Sequence, residues 1–367
     1  MTTVQTYDII QKLLINNRVG QGKNLMDQNA EILQNAISGS LKIIDQEREK
    51  EIISRRFGLN GNKETLEQIG EMLSITRERV RQLEKAILIR LQISAEENEI
   101  PELAAAEKIL IRNLTEMGRV AKLNDLADKV YGRTTTASER TGIYFIATFS
   151  KNLTVIEDND KYNAAIGIAE YGDSLAIRGR VDEIVRIIKE NKQPMTIEEL
   201  DSKLNYEHPD HIKATLSISK LLATLNGVYG LVKWPAVNPK NIRDKIFVIL
   251  EGRKEPMHFS DIANEIAGSN FKRKNVTVQA IHNELIKDDR FVLIGRGIYA
   301  LSSWGYKKGT ISDIIKSILE KSEKPLTREE IVKQVLKTRK VKETTILLNL
   351  QNKKLFKKVD KNSYTIA

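Results

Sequence analysis

Between Pro101 and Ala367 the sequence repeats one plan four times, and that repeat constrains the fold more than any other feature. Each stretch reads as a helix, a second helix, a third helix and a hairpin whose second strand carries a tyrosine. The second helix runs VAKLNDLADKV from Val120, PMTIEELDSKL from Pro194, PMHFSDIANEI from Pro256 and PLTREEIVKQV from Pro325. A proline or a small break opens it, and Thr196 or Thr327 stands where a cap is needed. Third helices are expected at about 138–150, 211–225, 276–286 and 342–352. The hairpins turn at Asp158-Asn159-Asp160, Gly295-Arg296-Gly297 and Asp360-Lys361-Asn362, and close with Tyr162, Tyr229, Tyr299 and Tyr364, which lie 67, 70 and 65 residues apart. Three helices and a β-hairpin make the winged-helix arrangement. The tyrosines recur with the fold in every unit, so they read as core residues and not as a platform for bases.

Ahead of the repeat, 65–91 reads as two short helices joined by a tight turn at Ser74-Ile75-Thr76. Leu66, Ile69, Met72 and Leu73 make one apolar stripe, and Val80, Leu83, Ile87, Leu88 and Leu91 make the other. Thr76 is placed to cap the second helix. Arg77, Glu78, Arg81 and Gln82 then share one polar face, with residue types that match base edges in the major groove: Arg to guanine, Glu to the cytosine amino group, Gln to adenine. From spacing alone, a solvated and salt-bridged helix face explains the same residues equally well.

The run ITRERVRQLEKAILIRL, preceded by REKEIISRRFGLNG and TLEQIGEML, closely resembles region 4 of housekeeping-type bacterial sigma factors, the module that reads the −35 promoter element. The resemblance covers Arg48 to Leu91. It implies base and groove contacts at Arg77, Glu78, Arg81 and Gln82, and phosphate contacts at Arg48 and at Thr65 and Leu66, where a helix start favours an anion. Lys85, one turn past Arg81, is a further phosphate candidate, while Arg79 points away from Arg77 and is expected in an ion pair. LKIIDQEREKEIISRRFGL supplies the preceding helices, with Ile43, Ile44, Ile52, Ile53 and Phe57 as apolar face and Gly58 as helix stop. The stripe reads mainly as core, and the resemblance implies that part of the module's apolar surface holds the RNA polymerase β flap. The resembled family carries an upstream region with aromatic residues that melts promoters, whereas only 47 residues and one aromatic, Tyr7, precede Arg48 here, so the resemblance implies that this chain chooses promoter-like double-stranded DNA without melting it.

The third repeat, with PMHFSDIANEIAG and VTVQAIHNELIKDDRFVLIGRGIYALSSWG, resembles the HARE-type helix-turn-helix domain found in the RNA polymerase delta subunit of some bacteria. That implies a module contacting DNA or polymerase. Lys272, Arg273, Lys274 and Arg296 are its phosphate candidates, with a solvated basic loop as the equal alternative. The fourth repeat is the most basic. Lys337, Arg339, Lys340, Lys342, Lys353, Lys354, Lys357 and Lys358 surround its third helix and wing and are placed to neutralise several phosphates, with the last four taken as phosphate contacts.

The chain carries 59 Lys+Arg against 49 Asp+Glu, a net +10 that suits a polyanionic partner, and 16 Lys/Arg against 7 Asp/Glu fall in residues 301–367. Cysteine is absent, which excludes disulfides, thiol nucleophiles and Cys-based zinc sites. Without a signal peptide or an apolar run of about 18 residues, a soluble cytoplasmic protein with no membrane partner is expected. His208 and His211 have no third metal ligand in view, and no phosphate loop, GxSxG elbow or HExxH motif is present, so neither metal, cofactor nor catalysis is expected. The fold class is therefore mainly α with small β-hairpins, a helix-turn-helix module followed by tandem winged helices. The segments are 1–36 (N-terminal, with helical patterns at Ile9 to Leu14 and from Leu25), 37–95 (sigma region 4-like, after a break at Ser38-Gly39-Ser40), then, past an acidic linker ending at Pro101, 102–170, 178–236, 240–305 and 308–367. A sigma-like transcription protein in contact with polymerase is the leading reading. A DNA-binding part of a defence or genome-maintenance system and a protein scaffold are the alternatives.

Overall fold

The structure is a computed structural model describing residues 26–367 apart from 205, 207, 272–274, 307, 323 and 361. The expected helical pattern around Ile9 to Leu14 and the basic stretch Lys272 to Lys274 lie outside the described residues. Two compact units emerge: one holds the described residues up to Ala223 with Gly227–Leu231, the other Thr224–Asn226 with Val232–Ala367.

The first unit begins with α1 (26–42), α2 (Glu47–Phe57), α3 (Leu66–Leu73) and α4 (Arg77–Glu96). The expected break at Ser38-Gly39-Ser40 is not one, because α1 runs straight through it. Ser40 Oγ donates to Ala36 O at 2.7 Å, and a Cβ on Gly39 would lie 2.8 Å from Glu102 Oε2. The small residues serve a close helix contact and not a turn. Gly58 does stop α2, at φ 62°. The acidic linker shrinks to 97–100, since α4 continues to Glu96 with Ser94 buried, and α5 (Pro101–Glu116) starts on its proline.

β1 (Val120–Lys122), α6 (Leu123–Tyr131), α7 (Ala137–Phe149), β2 (Leu153–Ile156) and β3 (Ala165–Ile168) complete the first winged helix. Residues 120–122 were expected to open a helix but form a strand, pairing antiparallel with β3 in the order β1-β3-β2. The second has α8 (Ser174–Asn191), α9 (Ile197–Leu204), α10 (Pro209–Ile218) and the hairpin β4 (Leu222–Leu225) with β5 (Val228–Leu231), so the third helix is shorter than 211–225 and the chain turns to strand. His208 Nδ1 accepts Asp210 N–H at 3.2 Å as the cap of α10.

In the second unit, α11 (Ile242–Arg253), β6 (Met257–His258), α12 (Phe259–Gly268), α13 (Val278–Lys287), β7 (Phe291–Gly295) and β8 (Ile298–Leu301) repeat the plan. So do α14 (Ile311–Glu320), β9 (Leu326–Thr327), α15 (Arg328–Thr338), α16 (Glu343–Leu350), β10 (Phe356–Lys358) and β11 (Ser363–Ile366). Thr327 and Glu330 form a capping box on α15, and Glu199 Oε2 accepts Thr196 N–H at 2.8 Å ahead of α9, so these early-turn carboxylates cap their helices.

The tyrosines are equivalent in three of the four winged helices. Tyr229, Tyr299 and Tyr364 face Met195, Met257 and Leu326 across the wing. In the first unit Ile166 faces Ala121 at that position. Tyr162 precedes the strand, bridges to Ser219 and is buried against α8 and α10.

One core joins α1, α2 and α4 to the first winged helix. Leu33, Ile44, Ile53, Phe57, Ile87 and Leu91 pack with Leu110, Leu126, Phe145 and Phe149. The rings of Phe57 and Phe145 lie 5.1 Å apart, as do those of Phe145 and Phe149. Ser138 Oγ also donates to Leu59 O at 2.8 Å. The helix-turn-helix is thus a face of a larger body. Phe145→Ala is expected to destabilise this body by about 3–5 kcal/mol. Hydrogen exchange should then show protection falling together in α4 and in α5; loss confined to residues 102–170 would contradict a shared core.

Candidate nucleic-acid interface

The two helices of the turn motif are set by local chemistry. Thr65 and Gln68 form a capping box on α3: Thr65 Oγ1 accepts Gln68 N–H, and Gln68 Oε1 accepts both Thr65 N–H at 2.9 Å and its hydroxyl at 3.0 Å. Thr76 Oγ1 accepts Arg79 N–H at 3.2 Å and starts α4. Between them Ser74 takes φ 53°, and a Cβ on Gly70 would meet Ile75 O at 2.7 Å, so only glycine lets α3 seat against the turn. Ile52, Ile69 and Val80 form the small core beneath, with Leu66, Leu73 and Leu83 around it. Met72, expected in the stripe, is exposed.

Ion pairs then fix the other faces. Arg56 bonds Glu84 at 3.1 Å across α2 and α4, both side chains mostly covered. Arg90 pairs with Glu49, and Arg55 holds Glu64 at 2.8 Å. These clamps draw charge away from the outer face of α4, where Arg77, Glu78, Arg81, Gln82 and Lys85 are all exposed. Arg81 grips Glu78 through two bonds of 2.8 and 2.7 Å, and this hydrogen-bonded guanidinium holds the Glu78 carboxyl below its ordinary range. Arg77 is looser, 4.0 Å from Glu67 and 68% exposed. Gln82 donates to Glu78 at 3.4 Å. Arg79 was expected in an ion pair; among the described residues it bonds Gln82 Oε1 at 3.5 Å. Four exposed side chains of the types that match base edges therefore stand together on the first two turns of one helix.

The phosphate candidates divide. Arg48 donates to Leu73 O at 2.9 Å, closing the end of α3 while its guanidinium stays exposed. Leu66 N–H lies ahead of any intrahelical acceptor, but Thr65 N–H is already held by Gln68, so an anion must displace that side chain. Lys353, Lys354, Lys357 and Lys358 are exposed around the start of β10. Lys357 and Lys358 are consecutive in the strand and point to opposite faces of the wing. Arg339 is not available to a phosphate: it is buried and donates to Leu293 O and to Gly309 O. Sequence reasoning passed over Gly70 and Gln68. The Thr-x-x-Gln spacing carried the signal for the second, whereas nothing local marks the first. Among the described residues no cluster of His, Cys, Asp or Glu is arranged to hold a metal, and no helix is long and apolar enough to cross a membrane.

These features define a helix-turn-helix of the class that binds DNA in proteins regulating transcription. Residues 46–92 match the family described as Sigma-70, region 4. The RNA polymerase sigma factor RpoD of Helicobacter pylori strain 26695 is 38% identical over 77 residues, 20% of this chain and 12% of that protein. RNA polymerase sigma factor sigB of Arabidopsis thaliana is 38% identical over 69 residues, 18% of this chain and 12% of its own. RNA polymerase sigma factor SigA4 of Synechococcus elongatus is 40% identical over 57 residues, 15% and 18%. The chain thus spans under a fifth of the length of each of these relatives.

Gly70→Val is expected to lower the stability of the motif by about 1–3 kcal/mol through overpacking against the turn. Faster amide exchange in α3 and the start of α4, with weaker DNA binding, would show it; unchanged exchange would mean that the close approach does not hold the turn.

Proposed function

We propose that this chain is a sigma-like DNA-binding transcription protein and not an enzyme. It reads a −35-like promoter element with α4, associates with RNA polymerase, and regulates initiation without melting promoters itself. The observation that carries this reading is the exposed set Arg77, Glu78, Arg81 and Gln82 at the start of α4, in a segment matched by the region 4 family. The relatives' printed names, all RNA polymerase sigma factors, support the polymerase association. In this reading Arg81, held by Glu78, meets a guanine, and Gln82 meets an adenine. Arg48, Leu66 and Lys85 fix register on the backbone.

A second reading is favoured by one packing fact. The module's apolar stripe, with Ile44, Ile53 and Phe57, is buried in the core it shares with α1, α5 and α7, and the large apolar residues exposed on α4 are Ile89 and Ile93, which leaves little apolar surface for a polymerase flap. A DNA-binding component of a defence or genome-maintenance system, without polymerase contact, needs no flap surface. Co-purification of polymerase with the full chain supports the first reading; tight DNA binding with no polymerase retained supports the second.

Replacing Arg77 and Arg81 together by alanine is expected to weaken binding to a promoter duplex by about 10-fold or more, while binding to an unrelated duplex changes less. Equal affinity of variant and parent for the promoter would remove α4 as the reader. Replacing Lys353, Lys354, Lys357 and Lys358 by alanine is expected to lower the salt slope of DNA binding by at most about 2.7, since one of the two strand lysines faces away and each contact is worth about 0.9. An unchanged slope would take this wing out of the interface.

A further inference from the structure

Four winged helices offer four third helices, and the structure uses them differently. In the first unit α7 is a packing element, with Ile143, Phe145, Ile146 and Phe149 buried in the core shared with α2 and α4. There too α10 is covered: Asn163 N–H donates to Ile218 O at 2.8 Å, Tyr171 Oη lies 3.3 Å from Thr215 Oγ1, and Lys220 pairs with Asp158 at 2.9 Å. In the second unit α16 is open too, presenting Glu343, Thr344 and Leu348, but it exposes no pair of carboxamides. Open and polar together describe α13. It exposes Val278, Gln279, Asn283 and Ile286, with Gln279 Nε2 donating to Asn283 Oδ1 at 3.1 Å.

We infer that α13 is a second base-reading helix, which takes double-stranded DNA in its major groove and selects A·T pairs through Gln279 and Asn283. Each carboxamide carries one donor group and one acceptor, the complement of adenine N7 and N6. Val278 and Ile286 flank them on the same face and can meet thymine methyl groups, so the whole face favours the same base pair. From 279 to 286 the helix rises about 10 Å, enough to follow about three base pairs. Charge does not oppose the approach. Glu284, the one carboxylate in α13, is turned onto Arg243 at 3.0 Å, and past its end Asp288 is held by Arg290 at 2.7 Å and Asp289 by Lys308. Arg296 stands exposed at the tip of the β7–β8 wing, available to a phosphate. Gly295 is pressed against the chain at Lys340, whose N–H donates to Ile294 O at 3.1 Å, so the wing is braced. Residues 232–367 hold 28 Lys/Arg against 15 Asp/Glu, a net +13 that exceeds the whole chain's +10. This inference does not depend on what α4 reads.

The test is selection from a randomised 40-base-pair duplex pool by the full chain, by R77A/R81A and by Q279A/N283A. The parent is expected to enrich two separate submotifs, one of them A·T-rich. Q279A/N283A should lose only the A·T-rich one, with about tenfold weaker binding to the selected duplex. R77A/R81A should lose only the other; its failure to do so bears on α4 and leaves α13 untouched. As a second readout, 7-deazaadenine in the A·T-rich submotif removes the N7 acceptor and should weaken the parent but not Q279A/N283A. Both amides are exposed, so the variant is expected to melt with the parent. Identical enrichment by the parent and Q279A/N283A, or an equal 7-deazaadenine effect on both, would overturn the inference and leave α13 a protein-facing helix.

Discussion

The contact between Phe57 and Phe145 decides how the segment that matches region 4 is held in this chain. Helices α2 and α4 carry apolar residues on two sides: a small set, Ile52 and Val80, closes the helix-turn-helix itself, and a larger set, Ile53, Phe57, Ile87 and Leu91, needs cover from elsewhere. That cover is the helical part of the first winged helix together with α1. The rings packed at 5.1 Å within this shared core hold α4 against the first winged helix. A helix that meets DNA from such a mount would not have to find its orientation again at each encounter.

The same packing explains why one topology serves several purposes. A third helix that offers Phe145 and Phe149 to a neighbour becomes a brace, while one that leaves amides in water remains able to meet a ligand. Fold alone does not separate these uses. The difference lies in a few side chains per helix and in what covers them, and in the first unit the neighbour covers α7 and α10.

Electrostatics in the region 4-like segment follows from the clamps. Exposed ion pairs are worth little in stability, but Arg56 with Glu84 is largely covered and joins α2 to α4 in one register. With Arg55 and Arg90 also matched to carboxylates, the exposed cations of α4 outside these inter-helix clamps include Arg77, Arg79, Arg81 and Lys85, Arg81 being held within the helix by Glu78. The modest excess of positive charge there suits a module whose affinity is supplemented by other surfaces on the same chain.

What the sequence determined by itself is what a single turn of chain encodes. The start of α4 at Thr76, the stop at Gly58, the boxes at Thr327 and the outward set Arg77, Glu78, Arg81 and Gln82 depend on neighbours three or four residues away, and those were legible. Tertiary structure alone decided the rest. Gly39 and Ser40 look like a break until α5 lies against them, and Arg339 looks like a phosphate ligand until the carbonyls of Leu293 and Gly309 surround it. Tyr162 looks like its three counterparts until strand pairing gives its place to Ile166. A small residue, a cation or an aromatic has no fixed meaning in one dimension. Its role is set by which distant backbone approaches it, and that follows from how the apolar faces of the whole unit are buried.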